Sequence, residues 1–128
     1  NQMHPILADD TKCETIVVID TTLTPSARYA DFLLPSCMNL EEHDWTSDGD
    51  SNIAYVIFDN KCIEPLGEAR SIYDICAGVA RELGVETQFP EGRTQYQWLE
   101  ALYEKSRKAV PELPPTLEEA FKMGVVKK

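Results

Sequence analysis

The chain has 128 residues, which is enough for one domain, and 43% of them are hydrophobic, which is enough for a real core. Twelve Lys and Arg residues stand against 22 Asp and Glu residues, giving a formal net charge of −10. This acidity argues against a nucleic-acid partner, because phosphate binding needs a basic face. No apolar run approaches the roughly 20 residues of a membrane-spanning helix, so direct membrane insertion is not expected.

The first element expected in the chain is a buried strand. Residues 15–19 are continuously apolar or β-branched and are closed by Asp20, a pattern typical of a strand covered on both faces in a parallel sheet. Thr24 and Pro25 then predict a helix start, with Thr24 as N-cap and a short helix over residues 26–30.

The middle of the chain alternates apolar and polar stretches. Residues 32–35 form a second brief apolar run, ended by proline. Residues 39–52 hold too little apolar material for regular structure and predict a long loop. Residues 53–58 predict a third strand, and residues 63–67 a linker.

Three helices are expected in the second half. Apolar residues recur at helical spacing in the first of them: Ile72, Ile75, Cys76, Val79 and Leu83. Gly84 is its stop signal. The second opens with the capping box Thr94-x-x-Gln97, and the third starts at Thr116 and is capped by Gly124. This order of elements predicts an α/β layered domain whose short sheet has exposed edges unless other material covers them.

The cysteines and histidines do not form a recognisable metal site. No two cysteines are spaced C-x-x-C, and His4 lies far from His43 in sequence. Cys37 and Cys76 have apolar sequence neighbours, which favours buried free thiols over disulfides.

The candidate ligand site is the carboxyl end of the first strand, at Asp20. In open α/β sheets, ligands bind at this end of the strands. The predicted helix start offers N–H groups to phosphate oxygens, and Thr21, Thr22 and Thr24 add hydroxyls. A carboxylate can also accept both hydrogen bonds from the N1–H and amine edge of guanine. Asp20 can equally well serve only to cap the turn, and the local sequence leaves both interpretations open.

A second, more remote candidate is the acidic segment Glu41, Glu42, His43 and Asp44. A histidine flanked by carboxylates can act as a general base, which would suit a hydrolase. A loop with dense like charge is more commonly just solvated.

The first strand and its continuation resemble a known family. Val17-Val18-Ile19-Asp20, followed by Thr24-x-Ser26-Ala27-x-x-Ala30-Asp31-x-x-Leu34-Pro35, is similar to the motif V-V-x-D-x-x-x-T-x-S/T-A-x-x-A-D-x-x-L-P. That motif occurs in catalytic subunits of the dimethyl sulfoxide reductase family of molybdopterin oxidoreductases. Residues 39–45, 63–73 and 91–99 resemble later segments of the family in the same order, so the resemblance covers essentially the whole chain.

The resemblance implies that residues 1–128 are an internal fragment of a longer catalytic subunit. It implies a three-layer, Rossmann-like α/β domain with a short, mostly parallel sheet flanked by helices. The parent would reduce S-oxides or N-oxides by oxygen-atom transfer, using molybdenum held by bis(molybdopterin guanine dinucleotide). The cofactor is not expected on the isolated fragment. The residues that the resemblance places at a guanine-nucleotide end of the cofactor are Ile19, Asp20, Thr21, Thr22, Thr24 and Asn1.

The sequence departs from the family in two respects. Some relatives carry a basic residue near the position of Glu42 and an acid near that of Ile72, both touching the cofactor, and this chain has neither. The molybdenum ligand and the iron–sulfur cysteines lie upstream in the family. No residue of this chain is therefore expected to be catalytic or to bind a metal.

The resemblance also implies partners for the parent protein. These are the remaining domains of the catalytic subunit, an iron–sulfur electron-transfer subunit and a membrane anchor, at the extracytoplasmic face of the cytoplasmic membrane. Without those domains, the fragment is expected to expose apolar surface and to self-associate weakly. The open alternative is a stand-alone acidic interaction module that binds no cofactor.

Overall fold

The computed structural model describes residues 2–48 and 55–127. In chain order its elements are α1 (Met3–Leu7), β1 (Val17–Asp20), a 3₁₀ turn (Ala27–Tyr29), β2 (Phe32–Pro35), a second 3₁₀ turn (Asn39–Glu41), β3 (Asp44–Asp48), β4 (Tyr55–Asp59), α2 (Ile72–Glu82), α3 (Gln95–Ala109), α4 (Leu117–Met123) and β5 (Val125–Lys127). The predicted α/β class, with a small parallel sheet and helices, is confirmed. Within the described residues, no helix combines the length and apolar character needed to cross a bilayer.

β1 and β2 form a parallel pair in register along their whole length. Asp31 forms two hydrogen bonds with Ile16 at the amino end of this pair. The Asp31 carboxylate accepts the Ile16 N–H at 2.8 Å, and the Asp31 N–H donates to the Ile16 carbonyl at 2.9 Å. The connection holds a single 3₁₀ turn, Ala27–Tyr29, instead of the short helix predicted over residues 26–30. Extended backbone at Ala30 ends this turn.

A third segment extends this sheet beyond β2. Ser36 forms a parallel bridge with Arg70. The Cys37 N–H donates to the Arg70 carbonyl at 2.9 Å, and the Arg70 N–H donates to the Pro35 carbonyl at 3.2 Å. Three parallel segments therefore end at the same edge of the sheet.

Each of the three longer helices begins at a Ser or Thr cap, and the caps of α3 and α4 are the predicted ones. The side-chain oxygen of Ser71 caps α2, and α3 opens on the predicted capping box of Thr94 and Gln97. Thr116 caps the start of α4. α4 ends at Gly124, whose φ of 73° is a conformation that glycine adopts without strain.

β3, β4 and β5 form an antiparallel sheet with β4 in the centre. The long loop predicted over residues 39–52 is therefore wrong in part, because Asp44–Asp48 is a strand paired with β4. An edge strand tolerates this polar sequence, since one of its sides faces solvent while Trp45 packs against the core. The strand predicted over residues 53–58 is observed at Tyr55–Asp59, and residues 53 and 54 lie outside the described residues.

The hydrophobic core lies between the antiparallel sheet and helices α3 and α4. Its buried residues are Phe58, Leu99, Tyr103, Leu113, Leu117, Ala120, Phe121 and Val126. Tyr103 is fully buried, and its ring meets that of Phe58 edge-on at 5.8 Å between centroids. Its hydroxyl donates to the Pro114 carbonyl at 2.9 Å, and burial raises the pKa of this hydroxyl because desolvation disfavours the phenolate.

The parallel pair is less covered than its sequence predicts. Val17 is 53% exposed, and Ile19 and Phe32 are exposed as well, so the expectation that β1 is buried on both faces is wrong for this chain. The described elements leave this short sheet partly open.

All four cysteines are free thiols, as expected. Cys76 is exposed, however, so its predicted burial is wrong. The stripe of α2 that carries Cys76 is apolar in sequence but is not covered within the described chain.

The buried hydroxyl of Tyr103 gives a direct test of the core. We expect Tyr103→Phe to lower the free energy of unfolding by about 1 kcal/mol, because the Pro114 carbonyl loses its donor. Denaturant unfolding monitored by circular dichroism measures the change. Tyr96→Phe is the matched control, since no hydrogen bond to the Tyr96 hydroxyl is present in the described part of the chain. Equal stability of the two variants would contradict this account of the core.

Candidate functional site

Asp20 ends β1 at the carboxyl edge of the parallel sheet. Its Oδ1 accepts the Thr21 N–H at 2.8 Å. Its Oδ2 has no hydrogen-bond or ion-pair partner among the described residues. Asp20 therefore caps the turn with one oxygen, while the other is available to a ligand N–H group.

The turn after Asp20 presents hydroxyls, but it does not lead into a long helix. Thr21 and Thr22 are exposed, whereas the Thr24 N–H donates to the Thr22 carbonyl at 2.9 Å. The Thr24 hydroxyl oxygen accepts the Ala27 N–H at 3.4 Å. The three-residue 3₁₀ turn that follows has a far smaller dipole than the helix N-terminus expected there.

Five of the six predicted site residues lie among the described residues. Ile19, at 37% exposure, and the turn residues lie together with Asp20 at one end of β1. Asn1 lies outside the described residues, so its predicted place near the dinucleotide stays a prediction.

A cleft of ≈ 440 Å³ opens at the same edge of the sheet. The Ser36 N–H donates to the Asp20 carbonyl at 3.1 Å, and the next residue, Cys37, lines the cleft. Ser71 and Thr94, the capping residues of α2 and α3, also line it. The starts of two helices and the end of β2 thus meet around one opening.

The cleft carries both signs of charge. Lys61 and Arg70 line it together with Glu42 and Asp74. The Gln95 side-chain amide donates to Glu42 Oε2 at 3.1 Å, which links the start of α3 to the acidic segment.

Four further residues line the cleft that were not predicted from the sequence to be site residues: Arg70, Ser71, Asp74 and Gln95. The spacing Ser71-x-x-Asp74 was an available signal, because it is typical of a helix start. The bridge between Ser36 and Arg70 had no local signal, since it joins residues distant in sequence.

Glu41 has a structural role in this region. It is only 4% exposed, its Oε2 accepts the Met38 N–H, and its Oε1 accepts the Leu66 N–H, both at 2.8 Å. The neighbouring Leu40 carbonyl accepts the Cys62 N–H at 2.8 Å. Because backbone groups occupy both oxygens, Glu41 is not placed to move a proton.

His43 is also engaged by the fold. Its Nδ1 accepts the Lys61 N–H at 3.2 Å, and its ring packs 4.9 Å from that of Phe121. Together with the engaged Glu41 carboxylate, this geometry argues against the remote hydrolase hypothesis. Across residues 2–48 and 55–127, no cluster of three or more His, Cys, Asp or Glu residues could hold a metal ion.

Replacement of Glu41 tests its structural role. We expect Glu41→Gln to lower the free energy of unfolding by about 2 kcal/mol, because an amide NH₂ would face one of the two backbone N–H donors. Chemical denaturation measures the loss. Glu64→Gln is the control, since Glu64 is an exposed residue whose salt bridge with Lys61 contributes little. A Glu41→Gln variant as stable as this control would overturn the structural role.

The reactivity of Cys37 tests the electrostatics of the cleft. Burial raises the pKa of its thiol, and the carboxylates of Glu42, Glu41 and Asp74 raise it further. The folded state therefore favours the neutral thiol, and its thiolate forms at a higher pH than that of an ordinary cysteine. We expect iodoacetamide to modify the exposed Cys76 faster than Cys37 at pH 8, with the Cys37 rate still rising at higher pH. Peptide mass spectrometry over a pH series measures both rates, and a faster Cys37 at pH 8 would refute the prediction.

A family model and individual relatives of this chain agree on one protein family. A family model described as molybdopterin oxidoreductase matches residues 2–82. All of the chain aligns with dimethyl sulfoxide reductase DmsA of Escherichia coli (strain K12) at 51% identity. Across 76% of the chain, it is 40% identical to dimethyl sulfoxide/trimethylamine N-oxide reductase of Rhodobacter capsulatus. The chain spans only 16% of the length of the first and 12% of the second.

A solved structure agrees with these sequence matches. Acetylene hydratase from Pelobacter acetylenicus superposes on 60% of this chain and 10% of its own, with a TM-score of 0.52 and 30% sequence identity. Because the family model covers more than half of the chain and one relative matches it throughout, the chain belongs to the molybdopterin oxidoreductase family.

Proposed function

We propose that this chain is part of the cofactor-binding region of a longer molybdenum enzyme that reduces S-oxides or N-oxides. Its relatives include proteins named dimethyl sulfoxide reductase, dimethyl sulfoxide/trimethylamine N-oxide reductase and biotin sulfoxide reductase. When bound, the cofactor would supply the molybdenum at which an oxygen atom is transferred. The role of this chain is to bind and orient a distant part of that cofactor.

The proposed site rests on the carboxylate of Asp20, whose two oxygens differ in their hydrogen bonding. One oxygen accepts the Thr21 N–H, and the other has no partner among the described residues. Guanine presents two adjacent donors, N1–H and the exocyclic amine, and a carboxylate can accept both. The chemistry of Asp20 therefore fits the guanine end of a molybdopterin guanine dinucleotide cofactor, the form that we propose for the parent enzyme.

The neighbouring residues fit other parts of a nucleotide. Ile19 offers exposed apolar surface, on which a base can rest. Thr21, Thr22 and Thr24 offer hydroxyl and backbone groups that can bind ribose or phosphate oxygens. This turn contains no Lys or Arg, so the proposed phosphate contacts are neutral hydrogen bonds. We include Asn1 in the site on the basis of the family resemblance alone.

We extend the proposal to the surroundings of the parent protein. Its partners would be the remaining domains of the catalytic subunit, an iron–sulfur electron-transfer subunit and a membrane anchor. It would work at the extracytoplasmic face of the cytoplasmic membrane. The stand-alone interaction module has less support, because relatives such as DmsA carry the aligned sequence within much longer chains.

Replacement of Asp20 in the full-length parent tests the guanine site. In Asp20→Asn, one acceptor becomes an NH₂ group facing a guanine donor, so we expect cofactor occupancy to fall about tenfold. Molybdenum per protein, measured by mass spectrometry, and guanine nucleotide released by acid hydrolysis report the occupancy. Asp10→Asn is the matched control, because Asp10 is exposed and has no hydrogen bond among the described residues.

Two outcomes would contradict the assignment. Full occupancy in Asp20→Asn would remove Asp20 from the cofactor site. Release of a base other than guanine from the unmodified enzyme would refute the dinucleotide form.

A further inference from the structure

A groove of ≈ 550 Å³ runs between β2 and α2, and Asp20 is not among the residues that line it. Leu33 and Leu34 line one side of it, and Ile75, Val79 and Leu83 line the other. Leu83 is 71% exposed, so its contribution to this chain's own packing is small. An apolar helix stripe of this kind normally packs against another element.

Gly78 lines the groove on the side of α2. It lies inside α2, where glycine is less favourable than alanine because its backbone loses more conformational freedom. A side chain at this position would meet no atom within 4 Å, so the packing described within this chain does not require a glycine. The open space above Gly78 allows another segment to approach the helix backbone closely.

The rim of the groove is acidic. Glu68, Asp74 and Glu82 line it against a single basic residue, Arg70. None of these three carboxylates takes part in the salt bridges found within residues 2–48 and 55–127. A second copy of this chain, with its formal charge of −10, would bring further negative charge to the rim. Charge complementarity therefore favours an occupant with Lys or Arg beside its apolar side chains.

We propose that this β2–α2 groove docks an apolar segment of the parent chain that is flanked by Lys or Arg. The inference rests on the proposed function only in requiring a longer parent protein, of which this chain spans 16% in the relative DmsA. The occupant passes over Gly78, with its apolar side chains against Leu33 and Leu83. Its basic side chains lie beside Glu68 and Glu82.

Amide hydrogen exchange in the full-length parent tests the docking. In Gly78→Leu, the new side chain fills the space that the occupant needs, so exchange in β2 and α2 should accelerate about tenfold. Without an occupant the expected change is the opposite, because leucine favours helix more than glycine and meets no atom of this chain. Ala101→Leu is the control, because it also introduces a leucine into a helix, at an exposed position of α3.

A charge reversal tests the basic flanks and covers the case in which Gly78→Leu fails to fold. Glu82→Lys should accelerate exchange in the same two elements, because it places like charges together. Glu100→Lys, on the exposed side of α3, is the control and should leave exchange in α2 unchanged. Unchanged exchange in Glu82→Lys would overturn the basic character of the occupant.

Two outcomes would overturn this proposal. Unchanged or slower exchange in Gly78→Leu overturns the docking. Exchange that accelerates when the unmodified parent is diluted assigns the groove to a second copy and also overturns the proposal. The molybdenum content of the Asp20→Asn parent is measured in parallel. Its failure to fall would refute the cofactor site while leaving the groove result intact.

Discussion

The buried carboxylate of Glu41 connects the turn after β2 to the segment that leads to α2. Its two oxygens accept backbone N–H groups from Met38 and Leu66, which lie far apart in sequence. Hydrogen bonds to a charged group are among the stronger ones, about 1.5–3 kcal/mol each, and breaking them inside the protein leaves a buried charge unpaired. Arg70 lies close after Leu66 in sequence and forms a bridge with Ser36. The carboxyl edge of the parallel sheet, where Asp20 lies, therefore depends on the hydrogen bonds of Glu41.

Stability is distributed unevenly across the chain. The buried cluster around Tyr103 joins the antiparallel sheet to α3 and α4. The parallel pair, which carries Asp20, keeps exposed apolar residues such as Val17 and Phe32. The proposed binding surfaces therefore lie where the chain buries least of its own surface, and ligands or neighbouring segments that bind there would add the stability that this half lacks.

Local sequence signals were reliable where a single side chain acts on its own backbone. Ser or Thr before each longer helix satisfies the first N–H groups, so the starts of α2, α3 and α4 agree with the sequence. Short elements without such signals were missed, as the three-residue β5 shows. The strand Asp44–Asp48 was also missed, because an edge strand needs few apolar residues. Burial was overestimated for β1 and Cys76, since an apolar pattern predicts cover without saying which chain segment provides it.

The sequence by itself determined the α/β class, the starts of α3 and α4, the family and the strand-end position of Asp20. These depend on short-range patterns that are read directly from neighbouring residues. Only the tertiary structure decided that Asp20 keeps one open oxygen, that Glu41 is structural, and that Arg70 borders a cleft beside Ser36. Each of these depends on hydrogen bonds, or on their absence, between segments that only folding brings together, and no local pattern encodes them.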